Sequence, residues 1–290
     1  YLTQTINSLK SQKYKKWNLI IINNYSSNNT TKLLNKINKS SKKIKLFNTK
    51  KLLTRPAVLN YGLRFCKSSY IGILDADDLV SPNWLKDIKN KISYDKNFGA
   101  IVGNYIPINE KNKKIKKKEF FKIKSGNINH TLSYTFPCAH SGSVINRNIL
   151  KRFKKPYDES LITGHDWRLF LKISYFNKIL LVDKDWVFWR RYNQSVTAKN
   201  KIISKTDILQ NLIYAEMHKT ISFNRMKNNF MKLVQVYHLL QLFISKKQYV
   251  SFLFTMLIGI IFPLFYFKSS YLIKLYLKKI KKFYKNKRKI

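Results

Sequence analysis

Apolar positions along the chain fall into two rhythms. Leu2, Ile6 and Leu9 recur at helical spacing within residues 2–16. The run Trp-Asn-Leu-Ile-Ile-Ile at 17–22 is short and β-branched, which predicts a buried strand. A polar turn over 23–31 supplies cap residues, and Leu33, Leu34 and Ile37 then return to the helical spacing. Residues 43–48 alternate like a strand. Residues 56–66 predict a helix with Val58, Leu59, Leu63 and Cys66 on its buried side. Tyr-Ile-Gly-Ile-Leu at 70–74 predicts a second buried strand. Ser81 as N-cap and Pro82 at the first helical position predict a helix over 81–92. Residues 99–106 predict a further strand.

Strands that alternate with helices of about ten residues predict a parallel α/β sheet. Ligands of such sheets bind beyond the carboxyl ends of the strands. A Lys-rich loop follows at 109–124, then short strands and helices over 140–192. After about residue 200 the pattern turns helical and then strongly apolar.

The strand at 70–74 runs into Asp75, Asp77 and Asp78, in a chain with 14 acidic residues against 57 basic ones. Turn chemistry explains one aspartate here, not three. Three carboxylates this close raise one another's pKa, and a divalent cation removes that cost. Mg²⁺ and Mn²⁺ favour oxygen ligands and commonly combine carboxylates with substrate phosphates. Phosphatases of the haloacid type share an Asp-x-Asp but require a Thr two residues on, where this chain has Leu79.

Five blocks together resemble family 2 glycosyltransferases of GT-A fold. They are residues 8–31, Arg-Pro-Ala-Val-Leu-Asn-Tyr-Gly-Leu at 55–63, the strand and Asp75-Ala76-Asp77 within 70–85, the segment 158–174 that opens Asp-Glu-Ser-Leu-Ile-Thr-Gly-His-Asp-Trp, and Trp-Arg-Arg-Tyr-Asn-Gln-Ser-Val-Thr at 189–197. They occur in family order over residues 1–200. The resemblance implies a mostly parallel, Rossmann-like sheet flanked by helices. It implies an inverting transfer of sugar from a nucleotide-diphosphate donor, a UDP-sugar being favoured. The acceptor would be a hydroxyl of a glycan or lipid-linked molecule in surface-polysaccharide synthesis.

Roles carry over residue by residue. Asp77 falls at the metal-binding position and Asp75 where ribose and base are contacted. Asp166 falls at the catalytic base, and Arg55 and Asn60 at polar positions of the helix beside the nucleotide. Arg190 matches an arginine shortly before a Ser-x-Thr, here Ser195 and Thr197. His165 and Trp167 flank the base as acceptor-side or auxiliary residues. The chemistry is consistent: a cation neutralises the departing diphosphate, and a base takes the proton of the attacking hydroxyl.

The chain departs from the family at several points. Asn23-Asn24-Tyr25-Ser26 replaces the usual Asp-Asp-Gly-Ser, so Asn24 would receive the uracil N–H with a neutral carbonyl rather than a carboxylate. Tyr25 replaces a turn glycine, which predicts a changed turn. His165 replaces a Glu, and Tyr192 stands where relatives carry a His that assists the metal. Relatives also begin with an apolar strand; this chain begins, at Tyr1, just after it, so the natural start is expected upstream.

Residues 249–267 carry no charge, and as a helix would extend about 28 Å. The following 271–290 set Leu272, Tyr276, Ile280 and Phe283 on one helical face among lysines, the pattern of a basic interfacial helix. A full span would carry this tail across the membrane, against the positive-inside tendency. The expectation is therefore a peripheral or re-entrant association with the cytoplasmic face of an anionic membrane. A span and a buried core helix stand as alternatives. The expected organisation is a transferase domain over 1–200 and a helical, membrane-associating region over 201–290.

The formal net charge of +43 admits polyanionic partners. Dispersed lysines are accounted for by Lys replacing neutral surface residues throughout; the clustered tail is not. No nucleic-acid module pattern is present, so nucleic acid is not the expected partner. Cys66 and Cys138 make no disulfide framework and read as ordinary thiols. The main competitor is a degenerate relative that binds sugar or membrane without catalysis, on the strength of Asn23, Asn24, His165 and Tyr192.

Overall fold

The computed structural model describes residues 1–115, 124–132 and 135–192, together with Asn211. All of them lie in one compact unit, Tyr1–Ile221. The apolar and polybasic segments at 249–267 and 271–290 lie outside the described residues, as do Ser195 and Thr197. Among the described residues no helix is long and apolar enough to cross a membrane.

The chain opens with α1 (Leu2–Lys10), which buries Ile6 and Leu9, followed by β1 (Leu19–Asn23), α2 (Asn28–Lys39) and β2 (Ile44–Asn48). Strands β1 and β2 pair in parallel, Leu19 opposite Ile44 through Asn23 opposite Asn48. Ile6, Ile37 and Ile44 close a small core beneath them. Ser27 caps α2 by accepting from the Thr30 N–H.

A second sheet carries the rest. Its strands are β3 (Tyr70–Gly72), β4 (Leu79–Val80), β5 (Phe98–Ile108), β6 (Gly126–Asn127), β7 (Val144–Asn146) and β8 (Lys178–Arg190). The order is β3-β7-β5-β8-β4, with β6 also on β8. The helices are α3 (Arg55–Leu63), α4 (Trp84–Tyr94), α5 (Asn129–Leu132), α6 (Arg147–Leu150) and α7 (His165–Ser174).

The expected parallel sheet is therefore mixed. β1 with β2 and β5 with β8 run parallel, whereas β3–β7, β5–β7, β4–β8 and β6–β8 are antiparallel. Short apolar runs carry no record of their direction, because a strand buried on both faces looks the same in either orientation.

One boundary also moves. The helix after the aspartates begins at Trp84, with Asn83 rather than Ser81 before it and no side-chain cap from Asn83. The Ser81 N–H bonds the Trp186 carbonyl, prolonging the β4–β8 pairing by a residue. Its hydroxyl serves the Asn83 N–H instead. The start of α4 is satisfied from the turn after α1: fully buried Gln12 accepts from the Leu85 N–H at 3.0 Å and donates to the Ser81 carbonyl at 2.7 Å. Trp84, Ile88, Ile101, Val144, Trp186 and Val187 form the main core behind this region. Burying each large side chain contributes roughly 1.5–3 kcal/mol.

Candidate functional site

The carboxyl end of β3 is built to present the acidic segment. Ile73 continues the strand by bonding the Ser143 carbonyl, and Gly142 donates back to Ile73. Gly142 sits at φ +79, and a Cβ there would lie 2.1 Å from the Val187 side chain, so only glycine fits the turn. The Ser141 hydroxyl beside it accepts from the Asp75 N–H at 3.2 Å. From the other side α1 fastens the same segment: the Thr5 hydroxyl donates to the Ala76 carbonyl and the Ser8 hydroxyl accepts from the Val80 N–H.

The three carboxylates then meet different fates. Asp75 is ion-paired with Arg55 at the start of α3. Burial opposes its charge, but the Arg55 guanidinium prevails and holds its pKa below the ordinary value. Asp77 accepts from the Tyr192 hydroxyl at 3.1 Å through Oδ2. Asp78 is 1% exposed and accepts the Arg190 N–H at 2.8 Å through Oδ1. Burial, and then the Asp75 charge, push the Asp78 pKa up to about 7. Its Oδ2 is buried without a hydrogen-bond partner.

A cleft of about 430 Å³ opens over this segment. Its lining joins Arg55, Asp75 and Asp77 to His165 and Asp166 from the N-terminus of α7, and to Arg190 at the end of β8. Gly164, the residue before α7, takes φ +68, and this left-handed step turns the chain so that the helix begins at the cleft. Asp166 is half-buried there and accepts from the Trp167 N–H. Asn211, fully buried, donates to the Gly164 carbonyl and accepts from Arg168 Nε, anchoring the same turn.

The residues fit a divalent cation. One oxygen each from Asp75, Asp77 and Asp78 lies within 4.8 Å of the others, the donors are all hard oxygens, and Asp78 Oδ2 is an orphaned acceptor.

A profile of the Glycosyl transferase family 2 matches residues 1–153. The chain belongs to that family. An uncharacterized glycosyltransferase of Haemophilus influenzae is 32% identical over 108 residues, 37% of this chain and 33% of that one. One from Methanocaldococcus jannaschii is 28% identical over 186 residues, 59% of each chain. The poly-beta-1,6-N-acetyl-D-glucosamine synthase of Staphylococcus aureus is 29% identical over 103 residues, 36% of this chain and 25% of that one. The chain thus spans at most 59% of the length of these curated relatives. Its fold is similar to S. aureus TarS 1–349 solved with UDP-GlcNAc, at TM-score 0.63 and 16% identity over 84% of this chain and 69% of that one. It is also similar to GalNAc-T7 solved with UDP, GalNAc and Mn²⁺, at TM-score 0.53 and 17% identity over 74% and 45%. The architecture is GT-A-like.

Within this family 2 glycosyltransferase the residues singled out from sequence divide. Arg55, Asp75, Asp77, His165, Asp166 and Arg190 gather on one cleft. Asn24 and Asn60 are not among its lining residues. Asn24 grips the loop before α3: its carbonyl accepts from the Leu53 N–H at 2.9 Å and the Thr49 hydroxyl at 3.2 Å, and its amide donates to the Leu53 carbonyl. The carbonyl expected to accept the uracil N–H thus already takes two hydrogen bonds within the chain. Asn60 clasps Tyr157 in the same way, donating to its carbonyl and accepting from its N–H. Trp167 is buried, with its indole on the Leu132 carbonyl.

Arg190 lines the cleft, but its guanidinium points into the protein. It donates to the carbonyls of Asp77, Asn109 and Glu110 and to Gln4 Oε1, and lies 4.3 Å over the Tyr1 ring. Tyr25 takes the left-handed backbone, φ +59, a region that glycine adopts freely and other residues rarely do.

His140 escaped sequence reasoning. It is 6% exposed, lines the cleft, and its Nε2 meets the Tyr157 hydroxyl at 2.8 Å. Burial drives its pKa down to about 4 despite the nearby Asp166 and Asp75 charges. No spacing rule marks a histidine in a loop such as Cys-Ala-His-Ser-Gly, so no signal was available.

Proposed function

We propose that the chain is a metal-dependent glycosyltransferase that moves a sugar, with inversion, from a UDP-sugar to a hydroxyl of a glycan or lipid-linked acceptor. The observation that carries this reading is one cleft that joins Asp75 and Asp77 to Asp166. TarS solved with UDP-GlcNAc and with UDP, and GalNAc-T7 solved with UDP and Mn²⁺, support the choice of donor and metal.

Asp77, with the neighbouring carboxylates, would hold Mg²⁺ or Mn²⁺. Bound there, the cation supplies charge neutralisation for the leaving diphosphate. Arg55 and Asp75, locked as a pair, form a rigid polar edge for the nucleotide. Asp166, in the first turn of α7, faces the cleft. As the general base it accepts the proton of the acceptor hydroxyl as the oxygen attacks the sugar carbon. His140, held neutral by burial, lines the cleft beside it without competing for that proton, and the fully buried Tyr157 holds its Nε2 from behind.

The test measures binding and turnover separately. Asp77→Ala should lose Mn²⁺-dependent UDP-sugar binding. Asp166→Asn should keep donor binding and lose turnover by roughly 10²–10⁴-fold. Joint loss of both functions in Asp166→Asn, with the protein still folded, would contradict the base assignment.

A non-catalytic binding protein is the second reading. It is favoured by Asn24, whose acceptor is used internally, and by Tyr192, which occupies Asp77. Release of free sugar from a UDP-sugar panel with Mn²⁺ separates the two.

The sequence pattern of 246–290 supports a place at the cytoplasmic face of an anionic membrane. Resistance of the full chain to high-salt washing, with release by detergent, tests that placement.

A further inference from the structure

Among the described residues three arginines line the cleft, and one of them keeps its guanidinium available to a ligand. Arg55 is paired with Asp75, and Arg190 has given its donors to backbone carbonyls and Gln4. Arg191 is exposed. Its N–H is fixed on the Ile108 carbonyl, and its guanidinium stands 4.9 Å from the Trp189 ring centre. That guanidinium makes no hydrogen bond or ion pair with any described residue.

The strand sorts the directions of these side chains. Side chains alternate along a strand and its extension. Arg190 and Tyr192 turn to Asp77, where the diphosphate and its cation belong. Trp189 and Arg191 share the opposite side. There Tyr105 meets Trp189 edge-on, with ring centres 5.4 Å apart at 89°. Phe136 and Ile162 add apolar surface to the same cleft. One part of the cleft is thus charged and suits a diphosphate; another is aromatic with the Arg191 guanidinium at its edge. Aromatic surface packs against the C–H face of a sugar ring, and a guanidinium fork matches the oxygens of a phosphate or carboxylate.

We infer that Trp189, Tyr105 and Arg191 form the acceptor subsite, and that the acceptor is a glycan carrying a phosphate or carboxylate close to the ring that is glycosylated. This rests on the glycosyltransferase reading above. Arg191 reads the anion and Trp189 carries the ring.

The full chain, with Mn²⁺ and UDP present, is assayed against neutral, uronate-bearing and phosphate-bearing oligosaccharides, while UDP affinity is measured by calorimetry. Anionic glycans should be retained over neutral ones, the better class telling phosphate from carboxylate. Arg191→Ala should lower their retention by roughly tenfold, with UDP affinity unchanged, and Arg191→Lys should restore part of it. Trp189→Ala should weaken all glycans. Equal retention of neutral glycans, or no retention of anionic ones, overturns the subsite. Weakened UDP binding in Arg191→Ala overturns it as well, by giving the guanidinium to the donor diphosphate. If the wild-type chain binds no UDP with Mn²⁺, the glycosyltransferase reading itself has failed.

Discussion

Arg190 and Asp78 hold two distant parts of the chain together: the Arg190 N–H donates to Asp78 Oδ1 at 2.8 Å, 112 residues away in sequence. The guanidinium repeats the link from its far end, on the Asp77 carbonyl and on Asn109 and Glu110. Arg190→Lys cannot span these acceptors and leaves up to three carbonyls unpaired. At about 1 kcal/mol for each lost bond, stability should fall by about 3 kcal/mol. Urea unfolding measures it. A variant of unchanged stability that binds donor poorly would show that Arg190 acts on ligand instead.

Tyr192 already holds Asp77, the carboxylate proposed to bind the cation. Its hydroxyl is held at a pKa of about 12 by burial and by the Asp77 charge, so at neutral pH it is a donor to the carboxylate and not an anionic ligand. Tyr192→Phe frees Oδ2. Mn²⁺ affinity without nucleotide should rise by about threefold to tenfold, the value of one hydrogen bond. Titration followed by the Mn²⁺ paramagnetic signal reads it directly, and unchanged or weaker affinity would refute competition between Tyr192 and the cation.

His140 makes stability depend on pH. Burial lowers its pKa in the folded chain to about 4, while an unfolded histidine takes its proton near 6.5. Between these values the unfolded state binds the extra proton. The contribution is therefore complete above about pH 6.5 and is lost as pH falls toward 4. At pH 5 the loss relative to pH 7.5 should be roughly 2 kcal/mol. His140→Asn should flatten the unfolding midpoint over that window. An equal slope in the variant would assign the effect to other groups.

Tyr25 carries backbone strain at φ +59 while its side chain is 69% exposed. Tyr25→Gly should stabilise by about 0.5–1 kcal/mol, as the relief exceeds glycine's entropy cost. Tyr25→Val should destabilise by about 1 kcal/mol, because β-branching disfavours this region further. Thermal midpoints should rank Tyr25→Gly above the wild type and the wild type above Tyr25→Val.

Much of the first half was legible because it is locally encoded. β1, α2, β2, α3 and β5 fall within a few residues of their expected positions, since hydrophobic period and turn residues act over short windows. The aspartates at the end of β3 were also legible, because a strand followed by clustered carboxylates is a local pattern. The start of α4 was not. Ser81 is a good cap in isolation, but Gln12, from 73 residues before Leu85, satisfied the helix instead.

The sequence by itself determined the family, the α/β alternation and the acidic segment, all of which depend on residue order over short spans. Only the tertiary structure decided which polar side chains face the cleft. Asn24, Asn60 and Arg190 have the right chemistry for ligand, yet Leu53, Tyr157 and the carbonyls beside Asp77 reach them first. A donor or acceptor is available to a substrate only if no nearer partner has satisfied it. Which partners come near is fixed by packing between segments 29 to 113 residues apart, not by local spacing along the chain.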